Sequence, residues 1–303
     1  MDKRIQALSF AWMLGVVLFH AGAAGCSSFY NNLISDFRVG GVSYFYVVSG
    51  YFLMKHFEGD VCSWWRFAVL KRAKTLLIPY LIWCSFGIHG FDLLRQYGLT
   101  SLGPLANPPL WYVKFLFLFC VASPFALIAV RFLNKRKMFV PAMLILVFAL
   151  PCIPLPLKFS LILSLLMFTF GIGLAFVSEK EKARLESLTV MQIGFGIWVA
   201  GLVIRSLIPD LPVQLKWAVN VYSALSLVIV SWGLLRRIEF VYEIPCFKVT
   251  FFVYCLHGIL LRHFCFFGYP PMNGLFVFLV CVVIGMCVSR FTPLLYRILT
   301  GNR

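Results

Sequence analysis

Residues 5–20 read IQALSFAWMLGVVLFH, an apolar run that ends in a histidine and is followed by the small residues AGAAG at 21–25. In a helix that begins near Ile5, a rise of about 1.5 Å per residue places His20 roughly 22 Å from the start. Similar apolar runs recur along all 303 residues, of which 61% are hydrophobic and 13% charged, with a mean hydropathy of +0.91. This composition is too apolar for a soluble domain and predicts an integral membrane protein.

Ten apolar stretches are each long enough to cross a hydrocarbon core of about 30 Å. We therefore expect an all-α, polytopic membrane protein with about ten transmembrane helices, in which residues 1–303 form a single domain. The first stretch leads directly into further spans and is expected to be retained rather than cleaved as a signal peptide. The predicted spans are 6–24, 39–55, 75–94, 110–130, 138–156, 159–178, 188–208, 217–235, 249–267 and 273–290.

The positive charges indicate the orientation of these spans. Most of the 27 lysine and arginine residues fall in alternate loops, and the positive-inside rule then places both termini in the cytoplasm. Short basic loops beside anionic lipid headgroups also account for the net charge of +16. Since no basic patch is concentrated in one place, we expect membrane lipids, and no nucleic acid, as partners.

Ionisable side chains within spans are the first candidates for a functional site, because they usually face a cavity or a partner. A neutral imidazole has one donor, one acceptor and an unperturbed pKa of about 6.5, which suits His20 to accept a proton from a hydroxyl. From the residues alone, a capping or headgroup-level histidine is an equal alternative. His257, in the middle of span 249–267, is a weaker candidate. His263 lies about 240° away around that helix, so the two do not form a metal-ligand pair.

Two further stretches carry charge at the ends of spans. SWWRFAVLKRAKTLLIPYLIW, residues 63–83, is an amphipathic segment at the start of the third span, and its lysines and arginines would either bind phosphates or only anchor the chain at the cytoplasmic face. WYVK, residues 111–114, places Lys114 near the outer end of the fourth span, where snorkelling to the interface is the ordinary explanation.

The remaining reactive side chains carry less weight. Ser49, in VVSGYF, has no histidine or acid at helical spacing, so Ser49–Gly50 is interpreted as a helix-packing pair rather than a nucleophile. The ten cysteines show no CxxC and no metal-ligand spacing, and we predict neither a disulfide nor a metal site.

Taken together, these stretches resemble the membrane-bound acyltransferase 3 family, bacterial enzymes that acylate surface and exported glycans. The resemblance covers essentially the whole chain and fits the stand-alone form, without an appended esterase-like domain. The matching stretches are, in chain order, IQALSFAWMLGVVLFH, GGVSYFYVVSGYFL, LKRAKTLLIPYLIW, PLWYVKFLFLF, FGIGL, VYCLHGI and TPLLYRILTGNR.

The resemblance implies roles for individual residues. It implies that His20 is catalytic, acting as a general base on the acceptor hydroxyl or accepting the acyl group itself. One departure is Ser9, which stands where many members carry an arginine eleven positions before the histidine. The paired arginines before the helix-three proline are also shifted. The resemblance implies substrate or acyl-CoA binding by Arg72, Lys74, Lys71, Trp111 and Lys114.

The function implied by the resemblance is transfer of an acyl group, acetyl in the first instance, from cytoplasmic acyl-CoA to a sugar hydroxyl. The acceptor would be a lipid-linked or exported polysaccharide at the bacterial cytoplasmic (inner) membrane, with other polysaccharide-biosynthesis proteins as partners. Acyl-CoA would be a co-substrate, and no tightly bound cofactor is expected. The alternative is a transporter or flippase for polysaccharide intermediates, although the sequence lacks the paired Gly/Pro-broken segments typical of inverted repeats.

Overall fold

The fold is given by a computed structural model, in which the secondary structure is entirely helical within the described residues. Most of the predicted span 138–156 and residues 86–94 of the predicted span 75–94 lie outside these residues. The structure describes residues 3–22, 24–55, 57, 60–85, 108–136, 138–139, 142–143, 145–146, 159–238 and 244–301.

Twelve α-helices have their bounds in the described part of the chain. A π-helix (Ala73–Leu77) joins α3 to α4, and 3-10 helices precede α5 (Pro108–Leu110) and α10 (Pro245–Val249). The α-helices are α1 (Lys3–Ala21), α2 (Ser28–Lys55), α3 (Val61–Arg72), α4 (Ile78–Ser85), α5 (Trp111–Lys135), α6 (Phe159–Phe176), α7 (Glu179–Leu185), α8 (Leu188–Leu207), α9 (Val213–Arg237), α10 (Thr250–His263), α11 (Pro270–Phe291) and α12 (Pro293–Thr300).

The prediction of a helical membrane protein is confirmed. Within the described residues, six helical stretches are long and apolar enough to cross a membrane, whereas the expected count of about ten spans and the cytoplasmic position of both termini remain predictions. α2 begins eleven residues before the predicted span 39–55 and is not among the six. The six are Lys3–Ala21, Trp111–Lys135, Leu188–Leu207, Val213–Leu235, Pro245–His263 and Pro270–Phe291.

Polar side chains determine where several helices begin. The carboxylate of Asp60 accepts a hydrogen bond of 2.9 Å from the backbone N–H of Ser63 at the start of α3, and this bond holds the pKa of Asp60 below its ordinary value. Ser178 and Glu181 form a reciprocal capping box at the start of α7. Ser187 caps α8. The starts of α7 and α8 are therefore fixed by short-range hydrogen bonds within the segment that follows α6.

The described helices belong to two compact units. The first unit contains Met1–Gly25, Trp65–Val121 and Tyr242–Arg303, and the second contains Cys26–Trp64 and Ala122–Val241. The expectation that residues 1–303 form one domain stays a prediction. All seven candidate site residues from the sequence belong to the first unit: His20, Lys71, Arg72, Lys74, Trp111, Lys114 and His257.

In the second unit, α2 packs along α6 with almost no space between the two backbones. A Cβ atom on Gly50 would overlap the carbonyl oxygen of Phe168 and lie 3.1 Å from the backbone nitrogen of Ile172. A Cβ atom on Gly171 would likewise overlap the backbone of Val47. Glycine is therefore required on both helices for this close approach, and Gly50 is a helix-packing residue, as predicted.

The second unit also buries an ion pair that the sequence did not predict. Arg205 on α8 donates to the carboxylate of Asp36 on α2, and their side chains are only 8% and 2% exposed. Trp198 donates to the same carboxylate at 3.0 Å. The guanidinium also donates to Asn220 at 2.9 Å and to the carbonyl oxygen of Gly201 at 3.3 Å. The charges are thus satisfied by the protein itself, and the pair holds α2, α8 and α9 together.

Removing one member of this ion pair should destabilise the protein strongly. Asp36→Leu or Arg205→Leu leaves one buried charge without its partner, and we expect either change to lower the free energy of unfolding by about 3 kcal/mol or more. The double variant buries neither charge, so its loss should be smaller than the sum of the two single losses. Thermal unfolding in detergent measures all three.

The control for this comparison is Glu179→Ala. It breaks the 2.8 Å ion pair between Lys182 and Glu179, in which the Glu179 side chain is 90% exposed, and should cause no measurable change. Additive losses in the double variant would contradict a coupled buried pair.

Candidate functional site

The candidate site is in the first unit, where α1 lies beside the helical stretch 245–263. The rings of Phe10 and Phe247 are 5.3 Å apart, and those of His20 and His257 are 5.1 Å apart. The second contact lies ten residues beyond the first in both segments. The two segments therefore run parallel and in register, which brings the two histidines to the same level.

His20 and His257 are joined by a direct hydrogen bond. The Nε2 atom of His257 lies 3.1 Å from the Nδ1 atom of His20, and the Nδ1 atom of His257 lies 3.1 Å from the carbonyl oxygen of Val253. His257 is completely buried, whereas His20 is partly exposed. The pair is therefore a hydrogen-bonded couple in which His20 is the more accessible member.

Small residues follow His20 in the chain, and another on α11 packs against the residues that flank it. Gly22 and Gly25 adopt φ values of +92° and +74°, a backbone conformation that glycine adopts readily, just after α1 ends at Ala21. On α11, a Cβ atom on Gly274 would lie 2.9 Å from the Cβ of Ala21 and 3.2 Å from the side chain of Leu18. α11 therefore packs closely against the segment that carries His20.

The WYVK segment adjoins the histidine helix through its tyrosine. The ring of Tyr112 on α5 is 5.6 Å from that of Tyr254 on α10, and Tyr254 is in turn 5.9 Å from the ring of His257. Trp111 and Lys114, on the same first turn of α5, are both partly exposed. The structure thus brings the predicted Trp111–Lys114 segment to the neighbourhood of the histidine pair.

The predicted donor-binding cations lie where α3 passes into the π-helix. Lys71 and Lys74 are exposed, Arg72 is partly exposed, and the ammonium of Lys71 lies 5.7 Å from the centre of the Phe67 ring. The cations are accessible to an anionic ligand, and Lys71 is also close enough to Phe67 for a cation–π interaction.

Proline explains why the helix widens after Arg72. Pro79 has no N–H to donate to the carbonyl of Thr75, so the α-helical hydrogen-bond pattern is interrupted at this point. In the residue before it, the N–H of Ile78 donates to the carbonyl of Ala73, five residues back, which is the π-helical pattern. The carbonyl of Thr75 faces Gly301, where a Cβ atom would overlap it and where φ is +66°. The C-terminal helix α12 therefore packs directly on the π-helix.

α4 connects this basic segment to the histidine helix. The indole N–H of Trp83 donates to the carbonyl of Leu299 at 2.9 Å, and its ring is 5.4 Å from that of Phe252 on α10. At a rise of about 1.5 Å per residue, the helix axis between Arg72 and Trp83 is about 16 Å long, and that between Phe252 and His257 is about 8 Å long. The cations and the histidines are thus placed at either end of one packed path.

Sequence reasoning missed two kinds of residue. Tyr254 lies three positions before His257 on the same side of α10, a spacing that would have marked it as a neighbour. The positions of Tyr112 and of the Asp36–Arg205 pair are set by contacts between distant segments, for which the sequence has no signal.

Ser9, the residue that departs from the family pattern, is buried on α1. In the part of the chain that the structure describes, no group of three or more His, Cys, Asp or Glu side chains is arranged to hold a metal ion.

The apolar helices are long enough to cross a membrane and indicate an integral membrane protein, and the bonded histidines, one buried and one partly exposed, form its candidate site. A family model described as an acyltransferase domain, that of the acyltransferase 3 family, matches residues 10–291. The chain therefore belongs to the acyltransferase 3 family and is a membrane acyltransferase. Comparisons with curated proteins and with solved structures found no significant match.

Adding one methyl group beside His20 should disturb the site. Gly274→Ala forces α11 away from Leu18 and Ala21, and overpacking of this kind costs about 1–3 kcal/mol. We expect a thermal midpoint in detergent lower by a few degrees and a reduced acyltransferase rate. Gly268→Ala is the matched control, because nothing lies within 4 Å of its added Cβ atom. Equal behaviour of the two variants would contradict the close packing of α11 on α1.

Proposed function

We propose that this membrane acyltransferase moves an acetyl group from cytoplasmic acetyl-CoA to a sugar hydroxyl of a surface or exported polysaccharide, in the bacterial cytoplasmic membrane. The observation that carries the proposal is the partly exposed imidazole of His20, held by a hydrogen bond to a completely buried histidine. The match to the family over residues 10–291 supports acyl transfer as the reaction. Acetyl-CoA serves as co-substrate, and no bound cofactor takes part.

In the proposed reaction, His20 takes the proton from the sugar hydroxyl as the oxygen forms a bond to the thioester carbonyl carbon. The carbon–sulfur bond then breaks, and the proton passes from His20 to the departing CoA sulfur. In the second form of the mechanism, His20 attacks the thioester carbonyl carbon, the carbon–sulfur bond breaks and CoA leaves as its thiolate. The sugar hydroxyl oxygen then bonds to the acyl carbon as the carbon–nitrogen bond to His20 breaks, and the hydroxyl proton passes to the CoA sulfur. Lys114 can stabilise the negative charge that develops on the carbonyl oxygen in either form.

The proposed donor site uses the exposed cations of the basic segment. Arg72 and Lys74, with Lys71 beside them, offer charge-assisted hydrogen bonds to the phosphates of CoA. The pantetheine arm then carries the thioester along α4 and α10 towards His20. Trp111, partly exposed on the first turn of α5, contributes to the acceptor or acyl-group pocket.

The first test removes the reacting imidazole. Membranes containing wild type or His20→Ala at matched levels are supplied with labelled acetyl-CoA, and label on membrane-linked or exported glycan is measured. We expect at least about a hundredfold loss in the variant, because a positioned general base contributes about 10²–10⁴-fold. Label that remains on the protein when acceptor is withheld would identify the acyl-histidine route.

The matched control is His263→Ala, an exposed histidine on α10 that should transfer label at the wild-type rate. Equal transfer by His20→Ala and wild type would remove His20 from the mechanism. Export of glycan without any dependence on acyl-CoA would instead favour a transporter.

The second test concerns the donor site. Arg72→Ala and Lys74→Ala should each raise the KM for acetyl-CoA about tenfold with little change in kcat, because a charged hydrogen bond contributes about 1.5 kcal/mol or more. The difference from wild type should shrink as salt is added. Arg290→Ala, an exposed cation at the end of α11, is the control and should leave the KM unchanged. A fall in kcat alone would contradict a role in donor binding.

A further inference from the structure

Two hydrogen bonds link His20, His257 and the carbonyl of Val253, and both must donate in the same direction. Its Nδ1 atom lies 3.1 Å from the carbonyl oxygen of Val253, one helical turn earlier, and its Nε2 atom lies 3.1 Å from the Nδ1 atom of His20. A carbonyl oxygen can only accept a hydrogen bond. The nitrogen that faces it must therefore carry the hydrogen, and the Nδ1 atom of His257 is the donor.

This first hydrogen bond determines the protonation of both rings when they are neutral. A neutral imidazole carries a single N–H, so the Nε2 atom of His257 has a lone pair and accepts. The Nδ1 atom of His20 must then donate to it. The remaining ring nitrogen of His20, Nε2, is left as the one that can take a proton from a substrate.

We propose that His257 is a positioning residue that holds His20 in the tautomer with hydrogen on Nδ1 and so presents Nε2 as the base. The inference rests on the proposed function of His20 and adds how its reactive nitrogen is chosen. During the reaction, the proton of the sugar hydroxyl moves to the Nε2 atom of His20 and later to the CoA sulfur. His257 donates to Val253 and accepts from His20 throughout, and exchanges no proton.

The surroundings of His257 favour this fixed role. The ring is completely buried, and Tyr254 packs against it with ring centres 5.9 Å apart. The acceptor of its N–H is a backbone carbonyl on its own helix, so the orientation of the ring does not depend on another mobile side chain. His257 therefore behaves as part of the α10 scaffold, while His20 faces the substrate.

Two substitutions separate positioning from simple packing. His257→Gln keeps an acceptor oxygen near the position of Nε2, whereas His257→Leu has a similar size and no acceptor. We expect His257→Leu to lower kcat about a hundredfold with the KM for acetyl-CoA changed less than about threefold, and His257→Gln to stay within about tenfold of wild type. Thermal midpoints in detergent confirm that both variants are folded. Equal losses in the two variants, or full activity in His257→Leu, would overturn the positioning role.

Nitrogen-15 NMR tests the tautomer without relying on activity. The protein is labelled at its histidines and measured in detergent at a pH where imidazole is neutral, and the His20 signals are identified by their loss in His20→Ala. We expect a protonated Nδ1 and an unprotonated Nε2 in the wild type, and a shift towards protonated Nε2 in His257→Leu. Hydrogen on the Nε2 atom of wild-type His20 would overturn the inference. If the Nδ1-protonated form is found in a wild type that transfers no acyl group, the proposed function fails and the positioning geometry stands.

Discussion

A polar group buried among these apolar helices can be satisfied only by another group of the protein, and this constraint governs both units. It explains why the Asp36 carboxylate has both Arg205 and Trp198 as donors. It also explains why Ser231 donates to the carbonyl of Leu227, one turn back, at 2.6 Å. In the first unit the same requirement makes the backbone of α10 the partner of His257. The candidate site is thus one of several places in the described residues where a buried polar group is satisfied by another group of the protein.

The histidine pair depends on helix register as well as on satisfied polarity. α1 and the stretch 245–263 run parallel, and the contact between Phe10 and Phe247 fixes their relative height ten residues before the histidines meet. Phe10 also packs on Phe278 of α11, with ring centres 5.0 Å apart. Three helical segments therefore share one aromatic cluster, and a shift of one turn at that point would displace one imidazole by about 5 Å along the helix axis relative to the other and break their hydrogen bond. Apolar packing ten residues away thus sets the relative position of the two imidazoles.

Hydropathy was sufficient to locate most of the helices, because a run of apolar side chains long enough to cross a membrane has few other stable conformations. It underestimated the length of α2, because Asp36 and Arg38 interrupt the apolar pattern. The charge of Asp36 is nevertheless paired with Arg205 within the second unit. Likewise, His20 and, more weakly, His257 could be singled out as candidates from the sequence, but their pairing could not. The hydrogen bond joins residues 237 positions apart, and such a contact depends on tertiary packing that no local pattern records. The helix α12 is short, and its role became visible only through Gly301 and the carbonyl of Thr75.

The identity of the partner of His20 has an energetic consequence for the proposed reaction. A carboxylate in that position would stabilise the imidazolium that forms when His20 takes a proton, but it would also leave a negative charge buried in an apolar bundle before the reaction begins. The neutral ring of His257 avoids that resting cost and still fixes the tautomer. Stabilisation of the imidazolium must then come from the charge that develops on the substrate, whose carbonyl oxygen becomes negative at the same moment. The two opposite charges arise together and stabilise each other most strongly where water is excluded. A neutral partner thus suits a base that is charged only while a substrate is reacting, and it ties proton transfer to the presence of the thioester.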